Sequence, residues 1–252
     1  MRAGNISEVG MNKGCVSRVL DLRLRASRLS NKLRGWGYLI GQGRHREFLK
    51  SFRNMVWSKT SAVGLRRDLT HPWDPPHAAI ALTIRPLRQE DLPGFFETDS
   101  RPAETAGVLG RMERAAFLHA GIGTCFVGVS PQGEPCYLQW LIGPSDNDKM
   151  QALFRGRFPR LKEDEALLEG AFTLERFRRL GIMAAAMSQI AQKGAGLGAR
   201  YVITFVGSDN VHSLKGCRRA GFHPYLVREA RRRFFFTQTV FIEPSFGEFL
   251  VA

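Results

Sequence analysis

The chain has no long hydrophobic segment. No run in its 252 residues reaches the roughly 18 consecutive apolar residues that a membrane-spanning helix needs. No apolar stretch follows the first basic residue, so we expect no secretory signal peptide. Only four cysteines occur, Cys15, Cys125, Cys136 and Cys217, and none forms a Cys-x-x-Cys pair. We therefore predict reduced thiols in a cytoplasmic protein, with no disulfide framework and no metal site.

Acidic residues are scarce in the first quarter of the chain. Residues 1–67 hold 15 of the 37 Lys and Arg residues but only three of the 23 acids, and the net charge of the whole chain is +14. Apolar residues spaced three and four apart run through this basic region, which predicts an amphipathic helix with basic flanks. The stripe consists of Val19, Leu22, Ala26, Leu29, Leu33 and Trp36.

This basic helix has three interpretations. It suits an anionic membrane surface, which residues 16–56 would contact, or it packs on the rest of the protein or on a second copy. Nucleic acid is the least favoured partner, because no RNA-binding module accompanies the helix. A proline-rich stretch then indicates a linker, since proline disfavours both helix and sheet. We predict a basic helical extension over 1–69, a linker over 70–80 and a main domain over 81–252; the oligomeric state stays open.

The main domain alternates between strand and helix patterns, which predicts an α+β (α/β) sheet domain. The part that points to chemistry is a strand, a basic loop with Gly181, and then a helix. Amide groups at the start of a helix bind phosphate, and Arg178 and Arg179 add positive charge there. Strands are predicted over 82–87, 124–129, 136–142, 165–173, 201–206, 225–229 and 234–242, and helices from residue 92, over 111–120, 149–155 and 182–193, and after residue 210.

The same segment resembles the acyl-CoA signature of the GNAT superfamily of N-acetyltransferases. That signature reads Arg/Gln-x-x-Gly-x-Gly/Ala, a helix, a strand, then Asn, and Gly-Phe about eleven residues later. Residues 178–183 match its first part except at Met183, and Asn210 with Gly221 and Phe222 match its second part. The resemblance covers residues 81–243 and implies a GNAT-type mixed, mostly antiparallel twisted sheet flanked by helices.

The resemblance also implies a reaction and a cofactor site. Acetyl-CoA, or another acyl-CoA, would be the co-substrate, and an amine would attack its thioester directly. Loop amides and two arginines would hold the pyrophosphate, while the end of the preceding strand and Asn210 would bond to the pantetheine arm. The cofactor-binding residues so implied are Phe172, Thr173, Leu174, Arg178, Arg179, Leu180, Gly181, Ile182, Met183 and Asn210.

Three residues are candidates for proton transfer. The family often has a glutamate base at the position of Glu169, and Glu165 lies on the same face of the strand; the alternative for each is a carboxylate on the surface of the sheet. Cys217 stands where the family often has a tyrosine acid. A thiol has a reference pKa of about 8.5, and the alternative for Cys217 is a small core residue.

These observations favour a cytoplasmic N-acyltransferase that acts on a small-molecule or glycan-linked amine and is held at the inner face of the membrane. A looser resemblance of the leader, linker and body is to bacterial proteins of surface-polysaccharide pathways. Two alternatives stay open. One is a catalytically silent GNAT-fold module that binds CoA or a partner, and the other is an acyltransferase that acts on an RNA-linked amine.

Overall fold

A computed structural model of the chain describes residues 45, 57–96, 105–233 and 236–243. The chain divides into two compact units, of which the larger holds residues 59–231 and 237–252. The cavity described below lies wholly in this larger unit. The amphipathic stripe between Val19 and Trp36 lies outside the described residues.

The strands are β1 (Trp57–Asp68), β2 (Thr83–Pro86), β3 (Thr124–Val129), β4 (Pro135–Ile142), β5 (Glu165–Thr173), β6 (Tyr201–Gly207), β7 (His223–Arg233) and β8 (Phe236–Ile242). The helices are α1 (Leu92–Phe96), α2 (Thr105–Ala120), α3 (Asn147–Phe154), α4 (Ile182–Gln192) and α5 (Val211–Arg219). The eight strands form one sheet in the order β2-β3-β4-β5-β6-β1-β7-β8. Neighbours from β2 to β5 are antiparallel, β5 and β6 are parallel, and β6 and β1 are antiparallel.

The central strands of the sheet are buried on both faces. Neighbouring residues of one strand enter opposite cores, as Leu167 and Leu168 do in β5. The core that contains Leu168 is covered by α4 and α5, and the core that contains Leu167 is covered by α2 and α3. This arrangement explains why these strands read as nearly continuous apolar runs. It confirms the predicted α+β class, with a mixed and mostly antiparallel sheet between helices.

The first strand differs from the expected helical extension. Residues 57–68 form β1, which pairs with β6 from Ala62 opposite Gly207 to Asp68 opposite Tyr201. The prediction of an extension that reaches residue 69 is therefore wrong for this segment, because β1 lies inside the sheet. Serines, Gly64 and charged residues obscure its strand pattern. Gly64 leaves room for the Leu226 side chain, since a Cβ at this position would lie 2.6 Å from Leu226 Cδ1.

A buried arginine ties β1 to both helices of one face. Arg67 is only 2% exposed. Its Nη1 donates to Ser188 Oγ on α4 at 2.9 Å and to the Ala220 carbonyl, just after α5, at 3.1 Å. Burial lowers the pKa of the Arg67 guanidinium. The carbonyls at the C-terminal end of α5 carry partial negative charge, which favours this cation in the core.

Residues 70–80, here called the strap, connect β1 to β2 across the two motif glycines. Trp73 Nε1 donates to the Arg219 carbonyl at 3.1 Å, and its ring lies beside Gly221. Ala79 N donates to the Leu180 carbonyl at 2.8 Å, next to Gly181. The expected linker between two domains is thus a segment that joins two strands of one sheet and packs on it.

Other boundaries follow the sequence closely. The strand pattern gives β3 and β5 with their observed ends, and α4 begins at Ile182 as predicted. Among the described residues, the helices are too short or too polar to cross a membrane.

We predict that Gly221→Ala destabilises the protein more than Gly133→Ala. Both glycines have positive φ, 88° and 83°, so alanine at either position costs about 1–2 kcal/mol in the left-handed region. A Cβ at Gly221 would also lie 2.8 Å from the Trp73 ring, whereas a Cβ at Gly133 meets nothing within 4 Å. Overpacking of this kind adds about 1–3 kcal/mol. Urea unfolding of both variants measures the difference.

A Trp73→Ala background isolates the contribution of the ring. In that background Gly221→Ala should cost no more than Gly133→Ala. Equal destabilisation of the two glycine variants in the parent protein would show that the strap does not press on Gly221.

Candidate active site

The two parallel strands at the centre of the sheet separate after three residue pairs. β5 and β6 pair only from Glu165 opposite Tyr201 to Leu167 opposite Ile203. A cavity of about 260 Å³ lies beyond this point. Its wall is built by α2, β4, β5, β6, α4 and α5, so it adjoins helices of both faces of the sheet. It is lined by Gly110, Glu113, Arg114, Gln139, Glu169, Gly170, Ala171, Met183, Met187, Thr204, Phe205, Val206, Gly207, Asn210, Ser213 and Cys217.

A β-bulge in β5 shapes one wall of the cavity. Trp140 opposes Glu169 and Leu138 opposes Phe172, so Gly170 and Ala171 together lie opposite one residue of β4. Gly170 has a φ of 71°, and a Cβ there would lie 2.9 Å from Trp140 Cε3. Only glycine adopts this conformation at this distance from the ring without strain. The bulge therefore places residues 169–171 in the wall of the cavity.

Glu169 is suited to accept a proton near neutral pH. Burial raises the pKa of its carboxyl to about 7. Arg157 opposes this rise and Glu113 adds to it, since a nearby cation favours the carboxylate and a nearby anion disfavours it. Glu113 lines the cavity and forms an ion pair with Arg157. A carboxylate with a pKa near the working pH is an effective general base.

The structure does not bring Glu165 to the cavity. It lies four positions before Glu169 along β5, a distance of about 13 Å in an extended strand. Glu165 is buried, and its Oε2 accepts a hydrogen bond from Lys162 N at 3.0 Å. Its carboxylate therefore closes the turn before the strand.

Cys217 does line the cavity, but its thiol is a weak acid. The side chain is buried, and its Sγ lies 3.7 Å from Met187 Sδ. Burial raises the pKa of the Cys217 thiol to about 12, with a further contribution from Glu169. A group with so high a pKa releases its proton reluctantly near neutral pH.

The basic loop has the features of an anion site. Helix α4 follows Gly181, whose φ is 74°, and Arg179 also has a positive φ of 67°. The first amides of a helix have no carbonyl partner within it and carry partial positive charge. Arg178 and Arg179 are exposed beside them, and Arg178 Nε donates to the Thr173 carbonyl at 3.4 Å. Leu180, Gly181 and Ile182 lie in this loop and at the helix start rather than in the cavity wall.

Met183, the departure from the family signature, turns toward α5. Its Sδ lies 3.3 Å from the position that a Cβ on Gly216 would take, and it lines the cavity. Asn210 also lines the cavity, and its Oδ1 caps α5 by accepting a hydrogen bond from Ser213 N at 3.1 Å. The cavity thus brings Met183, Asn210, Cys217 and Glu169 together.

The end of β5 offers an unpaired backbone edge. On one side Phe172 opposes Leu138, Thr173 opposes Tyr137, and Leu174 N donates to the Cys136 carbonyl at 3.0 Å. On the other side no described strand pairs with β5 after Leu167. An extended ligand can form backbone hydrogen bonds with such an edge.

Several residues of the cavity are absent from the sequence-based candidates. Glu113 and Arg114 come from α2, Gln139 from β4, and Thr204 from β6. A sequence signal exists for Glu113 and Arg114, because they lie four and three residues before the buried Phe117 and so share its helix face. A charged residue on an apolar face is unusual enough to indicate function. Over the described ranges no cluster of three His, Cys, Asp or Glu side chains could hold a metal ion.

Comparison with known proteins identifies a family whose profile matches this chain. The profile of the acetyltransferase (GNAT) family matches residues 84–222, which is more than half of the chain. This interval contains β5, the basic loop, α4, β6 and α5. No curated protein matches the chain at a significant level.

Solved structures with a similar fold include three described as acetyltransferases. A GNAT-family acetyltransferase from Colwellia psychrerythraea is 13% identical, with a TM-score of 0.45 over 79% of this chain and 62% of that one. GCN5-related N-acetyltransferases from Kribbella flavida and Sphaerobacter thermophilus are each 14% identical, with TM-scores of 0.41 and 0.43. The matches cover 78% and 88% of this chain, and 63% and 71% of theirs. The matched part of this chain therefore spans less than two thirds of the length of the Colwellia and Kribbella proteins.

We predict that Glu169→Gln stabilises the protein above pH 7 and leaves its stability unchanged near pH 4. The folded state binds the proton of Glu169 up to about pH 7, whereas an unfolded glutamate releases it near pH 4.5. The unfolded state thus binds fewer protons between these values, so stability falls as pH rises through this window. Glutamine removes this loss. Thermal unfolding of both proteins from pH 4 to 8 measures it, and parallel curves would contradict the raised pKa.

Proposed function

The chain belongs to the acetyltransferase (GNAT) family, and from that premise we propose that it transfers an acetyl group from acetyl-CoA to the amine of a small molecule. The observation that carries this proposal is the cavity between the separated strands β5 and β6. It has Glu169 in its wall and adjoins α4 and α5 on one face of the sheet and α2 on the other. The two substrates would meet there, one from each face.

The residues present fit an acyl-CoA. When bound, acyl-CoA supplies an activated thioester to the reaction. Loop amides of residues 180–183, flanked by Arg178 and Arg179, would hold its pyrophosphate. The unpaired edge of β5 over residues 172–174, together with Asn210, would bond to the pantetheine arm. Met183, Met187 and Val206 give the cavity an apolar part, and its volume of about 260 Å³ favours a short acyl group such as acetyl.

Glu169 would prepare the amine for attack. An amine is nucleophilic only when neutral, so its ammonium form must first lose a proton. Glu169, with a pKa of about 7, would accept that proton directly or through water. The neutral amine would then form a C–N bond to the thioester carbon. The C–S bond would break with its electron pair on sulfur, and the nitrogen would lose a second proton, which would end on that sulfur. Cys217 holds its own proton too strongly for this step, and we assign it to packing.

A Glu169→Gln substitution tests the reaction. We expect kcat to fall by about 10²–10⁴-fold, the usual contribution of an acid–base group, while the Kd for acetyl-CoA stays unchanged in calorimetry. The rising limb of the wild-type pH–rate profile should have its midpoint near pH 7 and should disappear in the variant. Glu165→Gln is the matched control, because it changes the same residue type on the same strand outside the cavity.

Two outcomes would contradict this proposal. A loss of kcat below about threefold, well under that range, would leave Glu169 without a role as the base. Binding of acetyl-CoA without acetylation of any amine in a broad panel would indicate a silent CoA-binding module.

We also propose that the protein is cytoplasmic and that residues 16–56 hold it at an anionic membrane surface. The proposal rests on the basic composition and apolar stripe of the sequence. Deletion of residues 1–69 would remove β1 from the sheet, so the test must use the full chain. The three substitutions Arg23→Glu, Arg25→Glu and Arg28→Glu together should abolish sedimentation with phosphatidylglycerol vesicles. Each basic residue near such a surface contributes about 1 kcal/mol.

The matched control replaces three exposed arginines of the described domain with glutamate, which changes the net charge by the same amount. These residues are Arg88, Arg160 and Arg231, and this variant should still sediment with the vesicles. Binding of the wild type should weaken in about 1 M salt, where the Debye length is about 3 Å. Failure of the wild type to sediment, or equal sedimentation of the first variant, would remove the membrane proposal.

A further inference from the structure

Gln139 is a buried polar side chain in the wall of the cavity. It lies on β4, is only 1% exposed and lines the cavity. Its Oε1 accepts a hydrogen bond from the Tyr137 hydroxyl at 2.7 Å. Within the described part of the chain, no group accepts a hydrogen bond from its Nε2. Nε2 is also not one of the fully enclosed atoms that lack a partner, so it keeps contact with the open space of the cavity.

The Tyr137 hydroxyl determines which end of the Gln139 amide faces the cavity. Tyr137 is fully buried, and Gln139 is the one hydrogen-bond partner that the described residues offer to its hydroxyl. A buried hydroxyl proton without an acceptor would cost about 1–3 kcal/mol, so the hydroxyl donates to Oε1 and does not accept from Nε2. Burial raises the pKa of Tyr137 well above its usual value, which keeps this proton in place. The amide nitrogen is therefore left as a donor for a ligand.

Gln139 projects to the face of the sheet that carries the basic loop. Side chains alternate along a strand, so Gln139 shares a face with Tyr137 and Leu141, which belong to the core covered by α4 and α5. Leu138 and Trp140 belong to the opposite core. Because the basic loop leads directly into α4, the ligand expected on the face of Gln139 is the acyl-CoA and not the amine.

The amide of Gln139 also lies beside the point where the two central strands separate. Gln139 is the residue of β4 that lies opposite the bulge of Gly170 and Ala171, and both bulge residues line the cavity. Met183 and Met187 line the same cavity, so the amide has partly apolar surroundings. A hydrogen bond to an atom that gains charge is stronger in such surroundings than in water.

We propose that Gln139 Nε2 donates a hydrogen bond to the carbonyl oxygen of the acetyl thioester, and that Gln139 is thereby a catalytic residue. This inference rests on the proposed acetyl transfer. While the C–N bond forms, the π electrons of the carbonyl move onto its oxygen; they return when the C–S bond breaks and its electron pair leaves on sulfur. A fixed donor at the oxygen stabilises the negative charge as it develops, which lowers the barrier. Tyr137 is a positioning residue, because its hydroxyl orients the amide.

The first test uses the wild-type protein, isotope-labelled for NMR. Acetyl-CoA is compared with S-ethyl-CoA, a thioether of similar size that has no carbonyl oxygen. The side-chain amide signals of Gln139 are assigned through their Overhauser contacts with the Tyr137 ring. We expect acetyl-CoA to move an Nε2 proton resonance downfield, as a new hydrogen bond does, and S-ethyl-CoA to leave it in place. Equal shifts with the two ligands, or no shift with either, would overturn the inference.

The second test removes the donor. Gln139→Met keeps most of the side-chain volume without an N–H group. We expect kcat to fall by about 10²–10³-fold, the usual loss for one donor to a developing oxyanion, while the Kd for acetyl-CoA rises by at most about tenfold. The infrared stretch of the bound thioester carbonyl should move to higher frequency, because the bond loses its polarising donor. The midpoint of the pH–rate profile should stay near pH 7, since Glu169 is unchanged.

Three further variants separate the amide from its surroundings. Tyr137→Phe keeps the amide but frees its orientation, so kcat and the carbonyl frequency should lie between those of wild type and Gln139→Met. Gln139→Met leaves the Tyr137 hydroxyl without an acceptor, which destabilises the fold. The double variant with Tyr137→Phe removes both polar groups, so it should regain stability and keep the loss of kcat. Gln192→Met, on an exposed side chain at the end of α4, is the matched control and should behave as wild type.

The outcomes separate this inference from the proposed function. Failure of the wild type to bind acetyl-CoA, or to acetylate any amine in a broad panel, overturns the proposed function and the inference together. Turnover by the wild type with the same carbonyl frequency in Gln139→Met overturns the inference alone. A loss of kcat below about threefold, well under the range for an oxyanion donor, also overturns it. If the variants do not fold, the comparison of acetyl-CoA with S-ethyl-CoA on the wild type decides.

Discussion

The separation of β5 from β6 is the feature on which the site depends. Parallel strands normally continue side by side, since each unpaired backbone group in a sheet interior loses a hydrogen bond. Here pairing stops at Leu167 and Ile203, and the bulge at Gly170 bends the backbone of β5 where it lines the gap. The same opening provides a backbone edge for an extended ligand and a cavity that adjoins helices on both faces of the sheet.

The gap also explains the electrostatics of Glu169. An ionised carboxylate on an open sheet surface would be hydrated and would keep its ordinary pKa. In the gap, protein replaces most of that water, which raises the pKa to about 7. Arg157 and Arg228 limit the rise, and Glu113 supports it. The pKa of Glu169 therefore depends on charged residues of α2, β7 and the segment after α3 as much as on β5.

β1 and the strap contact the basic loop and the helices α4 and α5, although both lie before the segment that matches the family. β1 lies between β6 and β7, and Arg67 joins it to Ser188 and Ala220. The strap then contacts both motif glycines, through Trp73 at Gly221 and His77 at Gly181. The residues that make these contacts, Arg67, Trp73 and His77, precede residue 84, where the family match begins. The region before the matched segment is consequently part of the scaffold that fixes the basic loop.

The sequence by itself determined most of the strands and helices of residues 83–222 and the basic loop, because hydrophobic periodicity and glycine positions are local signals, although α2 begins at Thr105 and not at residue 111. Glu169 and Asn210 became candidates through the resemblance to the GNAT signature. It did not determine that residues 57–68 form a strand, since Gly64 and the buried Arg67 conceal the apolar pattern and only pairing with β6 stabilises it. It placed Glu165 beside Glu169 because both share a strand face, but the cavity opens only beyond Leu167. Tertiary structure alone brought Glu113 and Arg114 to the same cavity as Glu169. Groups on α2 and β5 are more than 50 residues apart in the chain, and their proximity is set by how the helix packs across the gap.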